Sequence, residues 1–373
     1  MPRSVRAPRI PLFEWLNTNA TKTKYPLAYS NITGVTYEEY LAFTGFTLPS
    51  SYDLGIDHPH GIHELTTALA GIYHCTPENI VTSSGGTEAN YLLFSTLLSP
   101  GDEVIVEQPG YGPLWLTPQT LGARVVPWPR RFEERFAVNL ETLPSLITKK
   151  TKLIVLTNLH NPSGVLLPRQ TLQRVADIAA MNHVFLLVDE IFLDGSPTPQ
   201  PSAYGLPNTI VTSSMSKVYG LGGMRTGWII APEHVAFQCQ SMKSHTTGAS
   251  SGLSETMNAK ALLTARQTVL ERFRARTKEN LDALKTWMTS NPDIMTWAEP
   301  FGGTICFPHY TIDTPSVRLC TEILESTGLL LAPGEYFNLD NHVRLGFGIN
   351  PVLFQQGLEI LQKELRTRMK KIG

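Results

Sequence analysis

The sequence predicts an α/β fold in which a mostly parallel sheet is covered by helices and joined to a smaller α+β unit. Three observations predict it. From about residue 62, helical stretches alternate with short apolar runs; the runs are apolar on both faces; and beyond residue 250 the rhythm gives way to a long helical stretch and a few short strands. A chain of 373 residues also exceeds the roughly 250–300 at which a single core stops growing, so two domains are expected.

Taken in order, His63 to His74 reads as a helix, Asn79 to Thr82 as a strand, and Glu88 to Leu98 as the next helix. Val104-Ile105-Val106, Leu153 to Leu156, Val184 to Val188 and Thr209 to Thr212 are β-branched or continuously apolar, as strands buried on both faces are. Between them, Leu172 to Asn182 is a crossover helix, with Pro168 near its start and Leu172, Val175, Ile178 and Ala179 at helical spacing. Such crossovers are right-handed. Leu253 to Ser290 reads as one long interdomain helix closed by Asn291-Pro292. Gly302 to Phe307, a helix from Val317 to Ser326, the strand-like Val343 to Phe347 and a last helix from Pro351 complete the small unit.

Composition excludes several function classes. Hydrophobic residues at 42%, charged residues at 17% and a net charge of -1 give no global pull toward nucleic acid or an anionic membrane, so any anion site must be local. Cys75, Cys239, Cys306 and Cys320 lie far apart without metal-ligand spacing; free thiols are expected and no metal site. No apolar run approaches the roughly 18–20 residues that cross a bilayer, and the start of the chain has no secretory h-region, so a cytoplasmic protein is expected. Arg3, Arg6 and Arg9 precede the first acidic residue, Glu14, and read as an arm that embraces a partner.

The segment most informative for chemistry is Ser213 to Trp228, where Lys217 stands among serines and glycines directly after a strand. A lysine amine forms an imine with an aldehyde and, when desolvated or beside other cations, also acts as a base. Arg225 offers a planar fork for a dianionic phosphate, with Ser214 beside it, and the glycines permit close backbone approach. Asp189 closes an apolar run at the carboxyl end of a strand, where open α/β sheets bind ligands. Ser83-Ser84-Gly85-Gly86-Thr87 joins a strand to a helix, a turn whose free N–H groups bind anions.

Ser-x-Ser-Lys at 214–217, followed eight residues later by Arg225 and then Gly227-Trp228, resembles the cofactor-lysine motif of the class I/II aminotransferases. The resemblance covers most of the chain, with six motifs in the family's order. It implies the PLP-dependent (fold type I) architecture: a large domain over 46–274, and a small domain and N-terminal arm from 1–45 and 275–373. It also implies a homodimer and the cofactor pyridoxal 5'-phosphate, held as a Schiff base by Lys217. Asp189 would pair with the pyridine nitrogen. Asn161, in an Asn-Pro-x-Gly turn, would bind the phenolic oxygen, and Tyr111, in a Pro-x-Tyr segment, would stack on the ring. Gly85, Gly86, Thr87, Ser214 and Arg225 would hold the phosphate. Arg344 would bind the substrate α-carboxylate, with Gly34 approaching it from the N-terminal loop.

Two departures stand out. The family's tyrosine three residues after the aspartate is Phe192 here, and the position of the tyrosine that crosses from the neighbouring subunit is Ile56, with Tyr52 displaced and His58 and His60 nearby. The implied reaction is transamination between an α-amino acid and a 2-oxo acid. The same first steps serve elimination, as in C–S lyases, or a cyclisation like that of capreomycidine synthase, and both stay open. A regulator that senses cofactor or amino acids is a third reading, disfavoured by the retained Lys217 and Asp189.

Overall fold

A computed structural model describes residues 9–55 and 58–372; Arg3, Arg6 and Ile56 lie outside the described residues. Within it, the apolar runs become a seven-stranded sheet of β1 (Ile80–Ser83), β2 (Glu103–Gln108), β3 (Arg124–Pro129), β4 (Thr151–Thr157), β5 (Phe185–Asp189), β6 (Thr209–Ser214) and β7 (Gly227–Ile230). Their spatial order is β1-β7-β6-β5-β4-β2-β3, and only β7 runs against its neighbours. Because side chains alternate along a strand, Ile154, Leu156, Leu186 and Val188 face one core while Leu153, Val155 and Leu187 face the other. Each such side chain, fully buried, contributes about 1.5–3 kcal/mol.

The helices in chain order are α1 (Pro11–Asn19), α2 (Tyr37–Thr44), α3 (His63–Tyr73), α4 (Gly86–Leu97), α5 (Gly112–Thr120), α6 (Leu143–Leu146), α7 (Arg169–Met181), α8 (Glu233–Lys243), α9 (Gly252–Thr264), α10 (Arg266–Ser290), α11 (Ser316–Thr327) and α12 (Pro351–Ile372). Leu65 and Leu69 of α3, Leu172 and Val175 of α7 and Leu262 of α9 cover one face of the sheet. Leu92 and Leu93 of α4, Leu114 of α5 and Val235 of α8 cover the other. Some starts and stops follow local chemistry: Thr36 and Glu39 form a reciprocal capping box on α2, and Gly45 ends it in the left-handed region.

One expectation is corrected. The stretch read as a single helix to Ser290 is two, broken at Ala265, which leaves helical geometry at φ -133° and ψ 5°. The break lets α9 lie along α3 while α10 turns toward α12. A further core joins Leu27 to Leu284, Leu319, Val343 and Leu358, so the start of the chain packs with its end. Five short strands, β8 (Met295–Thr296), β9 (Ile305–Cys306), β10 (His309–Tyr310), β11 (Ala332–Pro333) and β12 (Val343–Gly346), frame this unit.

Candidate active site

Parallel register aligns the carboxyl ends of three strands, pairing Thr157 of β4 with Asp189 of β5 and Asp189 with Thr212 of β6. Together with the start of α4 they open on a cavity of about 370 Å³. It gathers Gly34, Gly86, Thr87, Tyr111, Asn161, Asp189, Lys217 and Arg225, residues drawn from six separate stretches of chain.

At one end, Gly85 precedes α4 at φ 87° and ψ 168°, a backbone conformation closed to residues with a Cβ. No side chain caps α4, so its first N–H groups and the positive end of its dipole are available to an anion. Arg225, itself in the left-handed region, donates from Nη2 to Ser84 O (2.9 Å) and from Nη1 to Gly222 O (3.1 Å). A Cβ on Gly85 would collide with that guanidinium, so the glycine is required for the arginine to reach the helix start. The Ser214 Oγ accepts from Ser216 N (3.2 Å) and sits beside Gly86; Ser214 is buried behind the wall, and Ser216, not singled out from the sequence, lines it.

The floor carries Asp189, whose carboxyl is pushed up by burial against the lowering effect of Asn90, the Ile191 amide and Lys217. Asn90 Nδ2 donates to Asp189 Oδ2 (3.0 Å), while its own oxygen accepts from Thr212 Oγ1 (2.8 Å). The Ile191 amide donates to Oδ1 (3.1 Å). The turn of Asn161 is fixed by its N–H donating to Thr157 Oγ1 (2.8 Å), and its side-chain oxygen accepts from Arg344 Nη1 (3.2 Å), which leaves the amide Nδ2 as its free donor.

Lys217 donates to Ser30 Oγ (3.0 Å) and Asn31 Oδ1 (2.5 Å). Burial, then Arg344, pull its amine down, Asp189 opposes them, Arg225 adds to them, and the outcome is about 7. Arg344 does not line the cavity: it is 1% exposed behind Asn161, with Nη2 on Ala28 O (2.8 Å), its plane over the Phe337 ring, and Nε without a partner. Gly34 faces the cavity, and Arg272 Nη2 holds its carbonyl (3.2 Å).

The departures also find their places. Phe192 is buried with Leu159 and Ile305, and its neighbour Ile191 is the side chain on the cavity wall. Tyr52 hydrogen-bonds Thr256 Oγ1 (3.2 Å), and His58 and His60 line a different cavity with His63 and Phe237. Sequence reading missed Ser30, Asn31 and Asn90. Asn90 lies three residues beyond Thr87, one turn along α4, which is the one signal that could have found it.

This set fits pyridoxal phosphate. A buried carboxylate at the floor suits a protonated pyridine nitrogen, a helix start with an arginine that only a glycine admits suits a phosphate, and a partly deprotonated lysine suits an aldehyde. Among the described residues, no helix is long and apolar enough to cross a membrane, and all four cysteines are free.

Comparison with known proteins agrees. The family profile described as "Aminotransferase class I and II" matches residues 53–361. The chain is 30% identical to a capreomycidine synthase of Streptomyces vinaceus over 97% of its length and 95% of the relative's. Its structure superposes on a PLP-dependent aminotransferase of Streptococcus suis with a TM-score of 0.92, 31% identity, and coverage of 98% of this chain and 99% of that one. A PLP-dependent cyclase, OrfR, gives a TM-score of 0.89 and 26% identity, over 98% and 99% of the two chains.

Proposed function

The chain belongs to the class I and II aminotransferase family, enzymes that use pyridoxal 5'-phosphate, and on that premise we propose that it moves the amino group of an α-amino acid to a 2-oxo acid. The observation that carries this reading is the Lys217 amine, buried, held by Ser30 and Asn31, and lowered to about 7. Near neutral pH such an amine both accepts the α-proton and, as an ammonium, gives it back, the two duties transamination asks of one group.

Bound pyridoxal phosphate supplies the electron sink for the pair left at the α-carbon. The chain's own residues do the rest. Asp189, with Asn90 and the Ile191 amide on its oxygens, keeps negative charge against the pyridine nitrogen. Asn161 would offer its amide N–H to the phenolic oxygen, and Tyr111 would stack on the ring and keep water from it. Gly85, Gly86, Thr87, Ser214 and Arg225 hold the phosphate. Arg344 would take the substrate carboxylate once its Nη1 leaves Asn161, behind which it is buried, with the Gly34 backbone alongside.

We extend the reading to the whole molecule as a cytoplasmic homodimer, with 46–274 the cofactor-holding domain and 1–45 with 275–373 the small domain and arm; the packing of Leu27 with the C-terminal core supports that division.

A second reading, intramolecular cyclisation or elimination, is favoured by the 30% identity to capreomycidine synthase over nearly the whole chain. One experiment separates the two. Purified enzyme is offered each amino acid with and without a 2-oxo acid, and products are identified by mass. Transamination requires a new amino acid formed only when the oxo acid is present; a cyclic or deaminated product formed without it over many turnovers, beyond one equivalent per active site, supports the second reading and overturns the first.

A further inference from the structure

Two charges lie buried beneath the site with no duty in the reaction as described: Glu107 at the end of β2 and Arg130 just beyond β3, each 1–2% exposed and joined by an ion pair of 2.5 Å. A buried ion pair is poor evidence for stability, because removing two charges from water costs about as much as their attraction returns. The partners of Glu107 suggest another use.

We propose that Glu107 and Arg130 are positioning residues that set the direction of a hydrogen-bond relay ending on Asn161. An ionised carboxylate only accepts. Glu107 Oε2 is taken by Arg130, so Oε1 receives both donors of Thr157, its N–H (2.6 Å) and its hydroxyl (2.5 Å). With its proton committed to Glu107, the Thr157 Oγ1 must act as an acceptor, and it accepts the Asn161 N–H (2.8 Å). Asn161 in turn accepts from Arg344. The relay therefore fixes the backbone of the Asn161 turn, and Arg344 then orients the side-chain amide that this backbone carries. At its other end, Arg130 Nε donates to Phe136 O (2.5 Å), and the Phe136 ring packs on Phe307 and His342 of the C-terminal unit. His160 adds a brace from its Nε2 to Pro109 O (2.9 Å), two residues before Tyr111.

Glutamine at 107 would break this logic. Its one carbonyl oxygen can face Arg130 or Thr157, and in either case its NH₂ meets a donor. The inference rests on Asn161 facing the cofactor's phenolic oxygen, so Asn161→Ala is the reference. Lys217, Asp189, Tyr111 and Arg225 line the cavity with Asn161, and Arg344 and His160 are buried behind it.

The holoenzymes Thr157→Val, Glu107→Gln and Glu107→Leu/Arg130→Met are compared with Asn161→Ala and the parent. The readouts are the pH midpoint of the cofactor's visible band, KM and kcat for an accepted amino acid, and the melting temperature. The relay requires all three variants to move the midpoint in the direction of Asn161→Ala by at least half its shift, and to raise KM at least fivefold. The double variant should do so while melting no lower than the parent. A double variant with the parent's melting temperature, midpoint and KM would overturn the proposal, because the pair would then be structural only. A midpoint unmoved in Asn161→Ala removes the premise and the proposal with it. Should the variants at Glu107 not fold, Thr157→Val decides alone: a parental midpoint overturns the relay and a shifted one supports it.

Discussion

Lys217 is an ammonium in water at neutral pH and divided between two forms in this site, because burial and the Arg344 cation oppose its charge more than Asp189 supports it. The sign of the consequence is definite. A neutral amine is the reactive form, so cofactor capture by apoenzyme should rise about tenfold per pH unit below 7 and level off near pH 8, whereas an unperturbed lysine would keep accelerating to about 10. Stopped-flow absorbance of apoenzyme mixed with pyridoxal phosphate across pH 5.5–9.5 measures it. On the floor, Asp189→Ala should cut turnover by about a hundredfold or more and Tyr111→Phe by less than about tenfold, since the first removes the proposed partner of the ring nitrogen and the second preserves the ring. Asn90→Ala should weaken cofactor binding about tenfold, the worth of one charge-assisted hydrogen bond, as read by equilibrium dialysis. Phe192→Tyr should lower stability by about 1–3 kcal/mol in denaturant titration, because the ring lies among Leu159 and Ile305 and the added hydroxyl is taken out of water there.

At the scale of elements, the start of α4 does the most for the site. Gly85→Ala should both strain a backbone that only glycine adopts, at a cost of about 1–3 kcal/mol, and push Arg225 from Ser84. Phosphate-dependent cofactor binding should then fall while binding of pyridoxal, which has no phosphate, changes far less; equal losses for both would contradict the assignment. The apolar runs of β2, β4, β5 and β6 were legible because residues buried on both faces leave a continuous hydrophobic record. The break between α9 and α10 was not. Ala265 is a good helix former, and its departure from helical geometry answers to the packing of α9 on α3, a tertiary demand that local propensity does not carry.

Across the whole molecule, the motifs that stood in short stretches converge on one cavity: the Gly85–Thr87 turn, Asp189, Asn161 and the segment from Ser214 to Arg225. What escaped were the residues that act across large separations. Ser30 and Asn31 reach Lys217 over 187 and 186 positions, Asn90 reaches Asp189 over 99, and Glu107 reaches Thr157 over 50. Each is an ordinary polar residue in its own stretch and, apart from Asn90 one turn beyond Thr87, gains meaning only when the sheet and residues 30 and 31 assemble. Arg344 was singled out by its motif as a carboxylate ligand, and the packing places it behind Asn161, outside the cavity lining. The reading rests on Lys217 as the group that holds the cofactor, and borohydride reduction of the holoenzyme followed by peptide mapping tests it most directly. The account requires the reduced cofactor's mass on the peptide containing Lys217 and its loss in Lys217→Ala; a label on another lysine, or on none, would contradict it.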